Sequence, residues 1–87
     1  NPKHYNKHGI ECIDAIQASM SEKEFLGYLK ANVVKYMWRY DYKGKPLEDL
    51  KKARWYLDKL IYCISIQEYN SKQLLMKGFS EGVNDDI

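Results

Sequence analysis

The stretch SEKEFLGYLKANVVKYMWRYDYKGKPLEDLKKARWYLDKLIYCISIQEY, residues 21–69, decides the fold. Ser21 and Glu24 stand three apart and match a capping box, so a helix begins at Glu22. Phe25, Leu26, Leu29, Val33, Tyr36, Met37 and Tyr40 then recur on one helical face and carry that helix to about residue 40. Residues 41–45 break the pattern as a connector around Gly44. Pro46 suits the first turn of the next helix, and Glu48 and Asp49 sit where the helix dipole favours carboxylates. Leu47, Leu50, Ala53, Leu57, Leu60, Ile61 and Ile64 give it an apolar stripe, which predicts a helix over about 46–69 that stops at Asn70 and Ser71.

Working outward, Ile10, Ile13, Ile16 and Met20 predict a short first helix over about 10–19. Residues 1–9, with Pro2 and Gly9 as breakers, read as an extended N-terminal arm. The helical domain is then 10–69, and 70–87 is a short helical or irregular tail. The expected fold is all-α: a small bundle of three main helices built on a long antiparallel helical hairpin. The helix over 22–40 carries a second apolar face, Gly27, Ala31, Val34 and Trp38, beside a polar stripe of Tyr28, Asn32, Lys35 and Arg39. A helix apolar on two sides needs two partners. Either the other two helices cover both faces, or copies of the chain assemble; the expectation is a homo-oligomer.

At 87 residues there is room for one domain and one modest core, not for a dinucleotide-binding unit with a substrate domain or a protein kinase. No apolar run approaches the roughly 20 residues of a membrane span. Cys12 and Cys63 form no framework or metal-ligand pair and read as small buried hydrophobes, which fits a reducing cytoplasm. Residues 30–59 hold nine basic and four acidic side chains, a local +5 in a chain of net charge +2. That field favours an anionic ligand such as a phosphate. It is too sparse for the dense basic stripe of a nucleic-acid binder.

Asn32, Lys35 and Arg39 share one side of the second helix; Asp49, Lys52 and Tyr56 share one side of the third. Facing each other, they make one of two things. One is a nucleotide pocket, with cations for phosphate oxygens, an amide for a base or sugar edge and a ring for stacking. The other is an interhelical salt-bridge network in which Asp49 pairs with Lys35 or Arg39. The phosphate-binding GxxxxGK[ST] loop and the GxGxxG, HExxH and GxSxG motifs are absent. His4 and His8 lack a third ligand on their element, so no metal site is expected, and no tightly bound cofactor. The clusters Trp38, Tyr40, Tyr42 and Trp55, Tyr56 read as core or interface.

The segments His4-Tyr5, GIECID at 9–14, NVVKYMWR at 32–39 and KGKPLEDLKKARWYL at 43–57 resemble a small bacteriophage domain family catalogued as of unknown function, over about residues 4–62. The same domain occurs in a T7-type phage nucleotide kinase that phosphorylates deoxynucleoside monophosphates without a P-loop. The resemblance implies a phage nucleotide-binding protein, with nucleoside monophosphate kinase activity as the named enzymatic reading. It implies His4, Tyr5, Asn32, Lys35, Tyr36, Arg39, Lys43, Lys52 and Tyr56 as nucleotide-binding residues, with Asp49 and Asp14 as the catalytic carboxylates. Two alternatives need no turnover: a sponge that sequesters a host defence signal nucleotide, and a module that binds a host protein through exposed aromatics.

Overall fold

A computed structural model describes the backbone of residues 6, 7 and 10–85 and the side chains of residues 11–78. The chain is all-α in its main elements: α1 (Cys12–Ala18), α2 (Glu22–Arg39) and α3 (Pro46–Asp85). Ahead of them β1 (Asn6–Lys7) pairs antiparallel with β2 (Ile10–Glu11), Asn6 opposite Glu11 and Lys7 opposite Ile10. Most of the expected N-terminal arm, including His4, Tyr5 and His8, lies outside the described residues.

The first helix is shorter than its apolar spacing suggests. Ile10 and Glu11 are drawn into the two-residue ladder, so Glu11 keeps an extended backbone and caps a helix that starts at Cys12. At the other end the Ser19 hydroxyl donates to the Ile16 carbonyl at 2.6 Å, and the Ser19 N–H donates to Ala15 and Ile16 at 3.1 Å, closing the last turn.

The capping box at Ser21 is formed. The Glu24 N–H donates to Ser21 Oγ at 3.1 Å, and the Ser21 N–H donates to Glu24 Oε1 at 2.8 Å. The Ser21 backbone first, and its hydroxyl second, hold the Glu24 carboxyl below its usual range. After Arg39 the chain turns: the N–H groups of Tyr42 and Lys43 both donate to the Arg39 carbonyl at 3.2 Å, and Gly44 takes a φ of +88°. That conformation suits glycine, which has no Cβ to crowd the following carbonyl.

The third helix does not stop at residue 69. It runs unbroken to Asp85, through Asn70, Ser71 and Gly78. Asn70 and Ser71 are exposed, so their side chains stay hydrated. Their helix propensities lie only tenths of a kcal/mol below the good formers, which is too little to break a helix already propagating. The region expected as a tail is therefore a continuation of α3.

The buried residues come from α2 and α3: Phe25, Leu29, Ala53 and Asp49. Contacts between the two helices run in opposite sequence order. Arg39 meets Asp49, Tyr36 meets Tyr56, and Phe25 and Leu26 share a cavity of about 170 Å³ with Tyr62, Cys63 and Ile66, closed on one side by Gln17 of α1. At 1.5 Å per residue α2 is about 27 Å long and α3 about 60 Å, so much of α3 extends past its partner. The longest dimension is 66 Å, and the radius of gyration of 18.5 Å exceeds the roughly 12 Å of a compact chain this size.

Among the described residues nothing covers the second apolar face of α2. Gly27, Ala31 and Val34 are exposed, and Trp38 is 75% exposed, so α1 and α3 together bury one face only. Cys12 is also exposed rather than buried, because the late start of α1 places it in the first turn; Cys63 is half-buried, and both thiols are free.

Two expectations follow for stability. Ser21→Ala should lower the urea unfolding free energy by about 1 kcal/mol. Glu24 has a depressed folded pKa, so its contribution is present above the ordinary glutamate range and is lost as pH falls through the folded value. Glu24→Gln keeps the reciprocal hydrogen bond without a titrating group, so it should flatten the fall in the urea midpoint between pH 6 and pH 3. Separately, Gly44→Ala should cost about 1–2 kcal/mol from backbone strain alone, since a Cβ built there meets nothing within 4 Å.

Candidate functional site

Where the end of α2 meets the start of α3, three cations surround one ring. Lys35 Nζ lies 4.5 Å, Lys52 Nζ 5.5 Å and the Arg39 guanidinium carbon 5.7 Å from the Tyr36 ring centroid. Helical spacing explains the set: Lys35 and Arg39 are one turn apart on α2 and flank Tyr36, while Lys52 comes across from α3. Tyr36 in turn stacks on Tyr56 with centroids 5.9 Å apart and planes at 14°. Tyr56 meets Tyr28 edge-on at 6.2 Å and Trp55 at 5.0 Å, and Tyr28 stacks on Phe25 at 5.8 Å. Such pairs contribute about 0.5–1.5 kcal/mol each beyond area burial, so this chain of rings fixes the platform on which the cations stand. Burial, and then the Tyr28 side chain, push the Tyr56 hydroxyl up to about 12, so it stays protonated throughout the physiological range.

Carboxylates edge the cationic group. Asp49 is only 2% exposed, and its Oδ2 pairs with Arg39 Nε at 3.3 Å. The pair engages Nε alone and leaves the terminal nitrogens of the guanidinium outside it. Glu48 Oε1 pairs with Lys52 Nζ at 3.1 Å, and Glu48 Oε2 lies 3.9 Å from Lys45 Nζ. The hydrogen bond from Lys52, then its charge, hold the Glu48 carboxyl below its usual range; the same bond raises the Lys52 ammonium above its own. Lys52 therefore remains cationic well into the alkaline range.

Six of the residues singled out from sequence converge here: Lys35, Tyr36, Arg39, Lys52, Tyr56 and Asp49. Asn32 borders the group, but its Nδ2 donates to the Tyr28 carbonyl at 2.9 Å, one turn back in its own helix. Lys43 lies in the connector with its Nζ 5.6 Å from the Tyr42 ring and does not join the ring of cations at Tyr36. Asp14 is exposed in the first turn of α1, where the dipole favours it, and takes no part in these ion pairs. His4 and Tyr5 lie outside the described residues.

Trp55 and Lys51 were not singled out as site residues. Trp55, read as core or interface, is 40% exposed. It lines an open depression of about 590 Å³ together with Leu47, Glu48, Lys51 and Lys52. Their spacing along α3, with Lys51 four before Trp55 and Glu48 four before Lys52, is the signal that would have found both. Among the described residues no helix is long and apolar enough to cross a membrane, and no group of three or more His, Cys, Asp or Glu could hold a metal ion.

A family model for a protein family of unknown function, DUF3310, matches residues 1–58. The chain belongs to the DUF3310 family. Neither a curated protein nor a solved structure matches it. The DUF3310 segment ends inside α3, four residues short of the span over which the motifs suggested a resemblance, and every residue of the cationic cluster lies within it.

The Asp49–Arg39 pair makes a stability prediction. Arg39→Ala strands a buried carboxylate, so unfolding in urea should come about 1–3 kcal/mol easier. Arg39→Ala combined with Asp49→Asn should recover part of that loss, because the stranded charge is gone.

Proposed function

We propose that this DUF3310 chain binds a nucleotide at the Tyr36 cluster. The observation that carries the reading is the convergence of Lys35, Lys52 and Arg39 within 6 Å of one aromatic ring, beside an exposed tryptophan. Like charges gather there at an electrostatic cost, and an oligophosphate would offset it through charge-assisted hydrogen bonds. Arg39 contributes the guanidinium edge that Asp49 leaves free. Trp55, in the depression it shares with Lys51 and Lys52, offers a face on which a base can stack.

The resemblance to the phage kinase domain supports the same ligand class and a phage setting in a host cytoplasm, and it adds phosphoryl transfer. The geometry favours binding without turnover. A general base must reach the acceptor hydroxyl within hydrogen-bonding distance, and Asp49 is buried with its carboxylate turned to Arg39. A sponge that holds a signal nucleotide needs the cations and the ring and nothing more. The reading also takes the chain to act as a homo-oligomer, supported by the uncovered apolar side chains of α2 and α3.

The test is incubation with a panel of nucleoside mono-, di- and triphosphates and cyclic dinucleotides, with and without ATP and magnesium, followed by chromatography of the free and protein-bound fractions. Recovery of an unaltered nucleotide from the protein fraction is the expected result. New phosphorylated products would replace it with the kinase reading, and no bound nucleotide would overturn both and leave binding of a host protein. In calorimetry with the retained nucleotide, Lys35→Ala and Lys52→Ala should each weaken binding by about 1–3 kcal/mol. Both should leave the thermal midpoint close to the parent's, since each lysine is exposed. Raising the salt should weaken binding as well, because the site is open to solvent.

A further inference from the structure

Beyond the cationic cluster, the largest unexplained feature is the outward side of α3. Leu47, Leu50, Leu57, Ile61, Ile64 and Leu75 are all exposed. Together with Arg54, Glu68 and Ser71 at the intervening positions, they follow alternating steps of three and four residues, the spacing of a coiled-coil seam, from residue 47 to residue 75 of one continuous helix. This seam lies about 100° around the helix from the positions Asp49, Ala53, Tyr56, Leu60 and Cys63 that face α2. Two charged residues interrupt it at seam positions: Arg54, seven residues before Ile61, and Glu68, seven after. Among the described residues neither forms an ion pair within the chain.

The total surface is large for the chain's mass. The chain exposes 7309 Å², against roughly 5,400 Å² for a folded monomer of this mass. The excess of roughly 1,900 Å² is more than twice the approximately 800 Å² that each partner contributes to a standard interface. Pairing along α3 would remove part of that excess.

The charges say what covers it. A two-fold axis near Ile61, perpendicular to α3, sets Arg54 of one copy against Glu68 of the other, twice over, and brings the turn holding Leu47 and Leu50 against Leu75. A parallel, in-register pair would instead set Arg54 against Arg54 and Glu68 against Glu68, which repel. We infer that the chain forms a homodimer in which two α3 helices pack antiparallel across Ile61, closed by reciprocal Arg54–Glu68 ion pairs. A two-fold interface of this kind is self-complementary, as closed symmetry requires. The inference deepens the self-association part of the proposed function and does not depend on nucleotide binding.

The experiment is sedimentation equilibrium on the full chain and its variants, with circular dichroism to confirm helicity. The parent should have twice the 10.3 kDa chain mass at micromolar concentration. Ile61→Lys should be a helical monomer, because Ile61 is exposed and its loss removes nothing from the buried set. Arg54→Glu and Glu68→Arg should each raise the dimer dissociation constant roughly tenfold or more. The double variant R54E/E68R should recover the parent value, and an equimolar mixture of the two single variants should form a heterodimer. A parent monomer would overturn self-association altogether. A dimer indifferent to Ile61→Lys, or singles that neither rescue in the double variant nor pair in the mixture, would overturn this interface alone. Calorimetry with the retained nucleotide on Ile61→Lys reads the binding proposal separately, so failure of one leaves the other measurable.

Discussion

The structure depends on how α2 and α3 are locked at the turn between them, and the lock is the ion pair of Asp49 with Arg39. Few apolar side chains are available to do that work: among the described residues the buried hydrophobic set is Phe25, Leu29 and Ala53. A carboxylate buried among them is costly unless it is paired. Its partner stands in the last turn of α2, where a cation also complements the dipole, and Asp49 stands in the first turn of α3, where a carboxylate does the same. One contact thus satisfies two helix ends and fixes where α3 starts relative to where α2 stops. Registration at that end places Tyr36 on Tyr56 and brings Lys52 across to the side of Tyr36 that Lys35 and Arg39 already flank.

This arrangement gives Arg39 two tasks with different atoms. Nε holds Asp49, while the guanidinium carbon lies 5.7 Å from the Tyr36 ring centroid. A lysine could not divide itself this way, because its ammonium is a single point on a flexible stem. The same geometry draws a line between the two carboxylates of the first turn of α3. Asp49 is taken out of solvent and serves the fold. Glu48 remains exposed and pairs with Lys52 and Lys45.

Much of this was legible in the sequence where a local rule had no competitor. The capping box at Ser21 and Glu24, the proline at the start of α3 and the side shared by Lys35 and Arg39 all depend on contacts within one or two turns. What escaped depends on partners distant in the chain or on the weakness of a local signal. Ile10 carries the apolar spacing of a helix, yet the backbone at Asn6 and Lys7 offers it a ladder, and no short-range pattern weighs one against the other. Asn70 and Ser71 resemble a stop, but a stop needs a capping geometry as well as two indifferent residues. Spacing also left open whether Asp49 met Lys35 or Arg39, since both lie on the facing side. The distance of the connector from each decides for Arg39, and that requires the turn itself. Trp55 could be assigned to neither core nor surface until the width of the contact with α2 was known.

The family match adds a division along α3. The matched segment stops at residue 58, and everything needed for the cationic cluster lies before that point. The helix then continues to Asp85, with Ile61, Ile64 and Leu75 exposed on one side and Tyr62, Ile66, Tyr69 and Met76 exposed on another. A helix end of this length is marginal alone in water, because its stability normally comes from packing an amphipathic face rather than from propensity. Glycine at position 78 makes it weaker by about 1 kcal/mol relative to alanine. An α3 apolar on several sides is therefore a helix whose stability would rise with any partner packed along it. The matched segment holds the small core on which the cationic cluster stands. In the proposed dimer the exposed leucines and isoleucines of α3, with Arg54 and Glu68 among them, would find their complement in a second, inverted copy.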